Sequence, residues 1–237
     1  MKIINVLDKT VNKILIIMFI ILGLFGLYAL FDVKEIYDDN NINNLIEKMN
    51  ENNFDILYMQ NNINKDICAW IKINDTQIDY PVVHPSSNSE YLDKDYKKDY
   101  SPLGSVFQDT YNDRYFNDQF NVIYAHNTSK LMFSDIKKFI DKEYFNSHKS
   151  GKLYSEKGVY NIDIYSVNII NKDTEYFYKL DILKNNRNND ILDKLKDSII
   201  NKRDIDIDGN DKIIMLSTCN KVGSKERIVL IGKMTKI

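Results

Sequence analysis

Residues 14–31, ILIIMFIILGLFGLYALF, are eighteen consecutive positions without a charged side chain. As a helix rising 1.5 Å per residue they extend about 27 Å, close to the hydrocarbon thickness of a bilayer. The competing reading is a cleaved signal peptide, whose apolar region would be shorter, about 7 to 15 residues, and would end at a small-x-small site. Neither feature is evident here. Lys2, Lys9 and Lys13 precede the run, whereas Asp32, Glu35, Asp38 and Asp39 follow it with only Lys34 among them. Positive flanks tend to stay cytoplasmic. Residues 1–13 are therefore read as a cytoplasmic N-terminus, 14–31 as a single transmembrane helix, 32–65 as a juxtamembrane and N-terminal helical segment, and 66–237 as one extracytoplasmic domain.

The formal charge of the 237-residue chain is -2, from 32 Lys plus Arg against 34 Asp plus Glu, so no basic excess points to nucleic acid. From Ile42, the apolar positions Ile42, Leu45, Ile46 and Met49 predict an amphipathic helix. Beyond it the period shortens. AWIKI at 69–73 and TQIDYPVV at 76–83 read as strands, with Pro81 suiting an edge or a bend. Further strand candidates are GSVFQ, FNVIYA, GKLYS, VYNIDIYSVNII, DKIIMLS and RIVLIGKM, most of them bounded by Gly, Asn, Asp or Ser. Many short strands suggest a closed or nearly closed β architecture with peripheral helices. One helix is expected at 129–140, burying Leu131, Met132, Ile136, Phe139 and Ile140. A second is expected at about 188–202, burying Ile191, Leu192, Leu195 and Ile199.

The run IIMLSTCN ends in one of only two cysteines. Cys68, in the strand-like DICAWIKI, is the sole intramolecular disulfide partner open to Cys219, and outside the cytoplasm such a pairing would silence the thiol. Otherwise Cys219 is a nucleophile presented at a strand end. Three histidines could partner it. His148 lies in the polar turn FNSHKSG and is expected to be exposed; His84 follows the strand YPVV; His126 follows NVIYA, the same strand-end setting as Cys219. Arg227 begins the last strand, eight residues after Cys219, and a hairpin through NKVGSK would bring it beside the thiol. The three residue types divide one chemistry among them. A thiol of ordinary pKa is only a few per cent thiolate at neutral pH, so a neighbouring imidazole or cation raises its reactivity. A guanidinium can stabilise the oxyanion formed on attack at an amide, and a histidinium can protonate the leaving amine.

In DIDIDGND, Asp204, Asp206, Asp208 and Gly209 fit the first, third, fifth and sixth places of a calcium loop. The twelfth place is Met215 rather than a bidentate Glu, so turn chemistry is the reading taken. No Cys and His cluster has zinc spacing, so no metal site is expected.

LSTC followed eight residues later by Arg, and preceded in the chain by VIYAHN, resembles the sortase family, membrane-anchored cysteine transpeptidases of Gram-positive bacteria. The stretches WIKINDTQIDYPVV, YLDKDY, GSVFQD and MFSDIKKF are similar to the ordered blocks of its class B branch, over most of residues 66–237. Ala125 departs from the glycine that often precedes the histidine. The resemblance implies a β-barrel of about eight strands and no required cofactor. By position it makes Cys219 the nucleophile, His126 the acid/base, Arg227 the oxyanion or substrate-orienting cation, and Ser217 a residue beside the substrate cleft. It implies surface proteins with a C-terminal sorting signal as substrates, cleaved after Thr through a thioester, and an amine of peptidoglycan precursor or of a pilin as acceptor. Two rivals remain. One is another cell-wall-peptide cysteine transpeptidase, which would usually carry Gly beside the cysteine where this chain has Thr218 and Asn220. The other is a non-catalytic, membrane-tethered adhesion or sensor domain with a Cys68–Cys219 disulfide.

Overall fold

The computed structural model describes residues 2–39, 55–128, 131–171, 188–219 and 225–237. The chain divides into two compact units, Met1–Lys48 and Met49–Ile237. Within the first, a single helix runs from Lys2 to Asp39, and every side chain from Thr10 to Phe31 is exposed. Thr10–Phe31, 22 residues, is the one helical stretch among the described residues long and apolar enough to cross a membrane. The amphipathic helix expected at Ile42–Met49 lies outside the described residues.

The second unit opens with a short helix, Ile56–Asn62, whose first turn is closed by the Asp55 carboxylate accepting from the Tyr58 N–H at 2.9 Å. Ile56 and Met59 anchor it on the core. The strands that follow are β1 Ile67–Ile73, β2 Asp79–Val83, β3 Val106–Gln108, β4 Phe120–Tyr124, β5 Asn127–Thr128, β6 Leu131–Met132, β7 Ser150–Ser155, β8 Gly158–Asn171, β9 Ile199–Lys202, β10 Lys212–Cys219 and β11 Glu226–Lys236.

Eight of these strands close on themselves in the order β11-β10-β4-β3-β2-β1-β7-β8, with β8 returning to pair with β11. Closure removes the exposed edges that an open sheet of this size would carry. The pairs β10–β4 and β2–β3 are parallel and the remaining pairs of the ring antiparallel. The length of β8 makes the closure possible. Along one edge it pairs with β11 from Tyr160 to Asn171, while the other edge takes β7 over Gly158–Asp163 and β9 over Ser166–Asn168. Pro81 sits within β2 opposite Trp70, and the β2–β3 ladder begins only at Val82. Pro81 is thus laddered on the β1 side alone, the one-sided setting expected of a strand proline, just before pairing on both sides begins.

Alternation along β10 and β11 sorts their side chains onto two faces. Ile213, Met215, Val229 and Ile231 join Phe120 and Val122 of β4 in one apolar cluster, which Ile191 and Leu195 cover from the helix Asn188–Leu195. The intervening Ile214, Leu216, Ile228 and Leu230 are equally buried and fill the barrel interior.

Two expected helices are shorter than their apolar spacing predicts. The one placed at 129–140 begins instead with β6, which pairs Leu131 and Met132 with Thr128 and Asn127, and becomes a 3-10 helix only over Ser134–Ile140. Met132 has φ 55°, a left-handed conformation that cannot continue a helix, and its N–H donates to the Tyr80 hydroxyl at 3.0 Å. The second helix ends at Leu195, passes through one 3-10 turn, and Ile199 enters β9. The β-branched pair Ile199–Ile200 lies beside the edge of β8 left over beyond β7, and a ladder there outweighs another helical turn.

Candidate active site

Strand register brings the three site candidates together. Cys219, the last residue of β10, is paired with Arg227 of β11. On its other side β10 runs parallel to β4, with Ser217 level with Tyr124. The match continues past the strand end: the Ala125 N–H donates to the Ser217 carbonyl at 3.3 Å, and the Thr218 hydroxyl to the Ala125 carbonyl at 2.8 Å. One further step sets position 219 beside His126. Carried on from the Ser217–Tyr124 level, the same backbone register puts positions 126, 219 and 227 in one row across the ends of β4, β10 and β11, with Cys219 and Arg227 a ladder pair and His126 two residues past the end of β4. At the level below, Tyr124 and Val229 pack with Val122, Met215 and Ile231 in the apolar cluster on the outer face of the barrel wall.

His126 is half-exposed, and its backbone carbonyl accepts from the Phe133 N–H at 3.1 Å. Its ring Nε2 lies 2.9 Å from the Leu92 carbonyl oxygen. Arg227 is half-buried, with Nη1 donating to the Glu226 carbonyl at 3.2 Å. Ser217 stands one row below, buried between Tyr124 and Val229. Most of the connection expected to turn the β10–β11 hairpin, residues 220–224, lies outside the described residues.

The other two histidines are spent elsewhere. β2 runs antiparallel to β4, so His84 leaves the barrel at the opposite end from His126, where its Nε2 meets the Asn112 carbonyl at 3.0 Å. His148 is half-buried rather than exposed: its ring stacks on Tyr144 at 3.7 Å, with Nε2 at 3.1 Å from the Asp75 carbonyl and Nδ1 at 2.9 Å from that of Tyr144.

Cys68 is a free thiol inside the barrel wall, at the irregularity between Ile67 and Ala69, where its S–H reaches the Val82 carbonyl at 3.4 Å. Burial pushes its pKa up to about 12. The structure thus overturns the disulfide on which the non-catalytic rival depended. The aspartates near 208 form a turn, with the Asp208 carboxylate accepting from the N–H groups of Asn210 and Asp211 and Lys233 joining Asp211 at 2.9 Å. Among the described residues no three His, Cys, Asp or Glu side chains converge as metal ligands.

Sequence reasoning passed over two groups at the site, the Leu92 carbonyl and Gly104. The glycine has φ +61°, and a Cβ on it would stand 3.0 Å from Cδ2 of His126. The turn-rich YSPLG marked the bend, but not its nearness to the imidazole.

The family model of the sortase domain matches residues 71–235. Sortase B of Listeria monocytogenes is 33% identical over 175 residues, 73% of this chain and 71% of that protein. Among solved structures, Clostridium perfringens sortase B is 34% identical at a TM-score of 0.66, covering 76% of this chain and 99% of the other. A Streptococcus pyogenes class B sortase involved in pilus biogenesis is 28% identical at a TM-score of 0.70, with 76% and 98% covered.

Proposed function

The chain belongs to the sortase family of cysteine transpeptidases, and on that premise we propose that it cleaves a C-terminal sorting motif of surface proteins through a thioester on Cys219 and passes the acyl group to a cell-wall amine. What supports this reading is the backbone register, which pairs Cys219 with Arg227 and lays β10 along β4 up to Tyr124, two residues before His126, so that a base and a cation would flank the nucleophile on either side.

The thiol proton passes to the His126 imidazole as the sulfur attacks the carbonyl carbon of the motif threonine. Negative charge develops on that oxygen, and the Arg227 guanidinium stabilises it; a donor in that role is worth about 3–4 kcal/mol. The tetrahedral intermediate collapses as histidinium protonates the departing amine, leaving the thioester. The acceptor amine then attacks, gives its proton back to His126, and releases Cys219 as the leaving thiol. Ser217, one row below the nucleophile, borders the groove that receives the substrate strand.

The acceptor is proposed to be the amine of a peptidoglycan precursor, with a pilin lysine as the variant outcome. The helix Thr10–Phe31, apolar and exposed on every side, supports an enzyme tethered to the membrane through which its substrates emerge.

Replacing Cys219 with Ala should abolish acyl-enzyme formation on a sorting-signal peptide, read by intact mass. Replacing His126, but not His84, should remove transpeptidation with the fold intact. Turnover unchanged in Cys219→Ala, or lost only in the His84 variant, would overturn the assignment.

A further inference from the structure

The contact between His126 and the segment Tyr91–Leu92 bears on which nitrogen does the chemistry. A carbonyl oxygen can only accept, so at 2.9 Å the Leu92 oxygen takes a hydrogen from Nε2. In the neutral ring the lone pair then rests on Nδ1.

The carbonyl is itself held in place. Tyr91, fully buried, donates its hydroxyl to Asp66 Oδ2 at 2.9 Å and accepts from Asn64 Nδ2 at 2.7 Å. Its backbone carbonyl accepts from the Ser105 N–H at 3.0 Å. Gly104 completes the cradle. A Cβ there would lie 2.7 Å from the carbonyl oxygens of both Leu92 and Tyr91, and the left-handed backbone is costly for any side chain. A larger residue would have to drive the carbonyl, the imidazole or both out of place.

We propose that the Leu92 carbonyl is a positioning group for His126, fixing the Nε2–H tautomer so that Nδ1 exchanges the proton with Cys219, and that Gly104 keeps this contact open. The inference rests on His126 being the acid/base. The balance is simple: Nδ1 takes the thiol proton and becomes N–H, the Nε2–H bond to Leu92 persists throughout, and Nδ1 returns the proton to the leaving amine. The imidazolium is stabilised by an acceptor that needs no reorganisation.

The test uses the full chain in detergent, labelled with ¹⁵N at histidine, with His126→Ala serving to assign the ring signals. In the wild type at high pH, His126 should show Nε2 protonated and Nδ1 bare. In Gly104→Ala the tautomers should mix, and kcat on a sorting-signal peptide should fall about tenfold to a hundredfold, a fraction of what acid–base catalysis supplies, with KM held within about twofold. A wild-type ring protonated on Nδ1 overturns the proposal without any variant, so a misfolded Gly104→Ala leaves it decidable. A folded Gly104→Ala with wild-type tautomer and kcat also overturns it, and a fall in kcat with an unchanged tautomer removes Gly104 from it. Activity retained in His126→Ala refutes the underlying acid/base reading instead, a separate result.

Discussion

The two cysteines, Cys68 in β1 and Cys219 at the end of β10, should answer a thiol reagent in opposite ways. Cys68 is fully buried and its pKa is pushed up to about 12, so almost none of it is thiolate at neutral pH. Native protein treated with iodoacetamide should gain one adduct, and Cys219→Ala should gain none; two adducts before denaturation would contradict the burial of Cys68. Asp66 makes a second case at this scale. Burial raises its pKa, but hydrogen bonds from Lys98 at 2.8 Å and Tyr91 at 2.9 Å outweigh that and hold the carboxyl below its usual range. A depressed folded pKa means stabilisation present above the unfolded value and lost as pH falls through the folded one. Lys98, raised by the same bond, loses its share only as pH rises through its own elevated value. Asp66→Asn should therefore lower the urea midpoint at neutral pH, with the gap to wild type closing in acid. A gap independent of pH would show that the carboxylate charge is not what matters.

Arg203 follows β9 and ties β8 to the helix Lys142–Ser147 and its C-cap residue His148, segments that sequence spacing gave no reason to join. Its Nη1 donates to the Ile164 carbonyl of β8 at 2.6 Å, Nη2 donates to the carbonyls of His148 at 2.9 Å and of Phe145, and the guanidinium lies 3.9 Å over the Phe145 ring. A planar fork suits such a site and an ammonium does not. Arg203→Lys should cost about 1–3 kcal/mol in chemical denaturation, the range for lost bonds to a charged donor, while kcat stays at the wild-type level because the residue is outside the row. A variant as stable as wild type would show that these carbonyls find water instead. The same region shows where the sequence stops being legible. β10 and β11 could be read because their apolar runs end at Cys219 and resume at Arg227, and a hairpin pairs those two residues by count alone. The segment after Leu195 could not, because Ile191, Leu192, Leu195 and Ile199 keep helical spacing. What decides against the helix is the free edge of β8, a partner remote in sequence. Likewise Met132 looks like a helix residue until Tyr80, 52 positions earlier, claims its N–H. Local pattern carried the candidate site residues, whereas partners distant along the chain set element ends and the cradle around His126.

At the scale of the whole molecule, the proposed function assigns catalysis and address to different parts of one chain. The barrel would supply the proposed row of His126, Cys219 and Arg227 through the register of β4, β10 and β11, a property of strands closed into a ring. The N-terminal helix supplies only an apolar cylinder, with Lys2, Lys9 and Lys13 ahead of it and acidic residues behind. If that charge difference sets orientation, the barrel stands outside the cell and proteinase K added to intact protoplasts should digest it. Deleting residues 1–31 should release the enzyme to the soluble fraction and leave kcat/KM on a free peptide within about twofold, since the row uses no residue of the helix; loss of anchoring on cells would then reflect address alone. Moving the lysines, with Lys2, Lys9 and Lys13 changed to Gln and Lys placed at 35, 38 and 39, should shield the barrel from protease in intact protoplasts. It should also stop anchoring while leaving detergent-solubilised activity intact. Protease sensitivity unchanged by that exchange would mean that folding of the barrel, rather than flanking charge, decides the side on which it comes to rest.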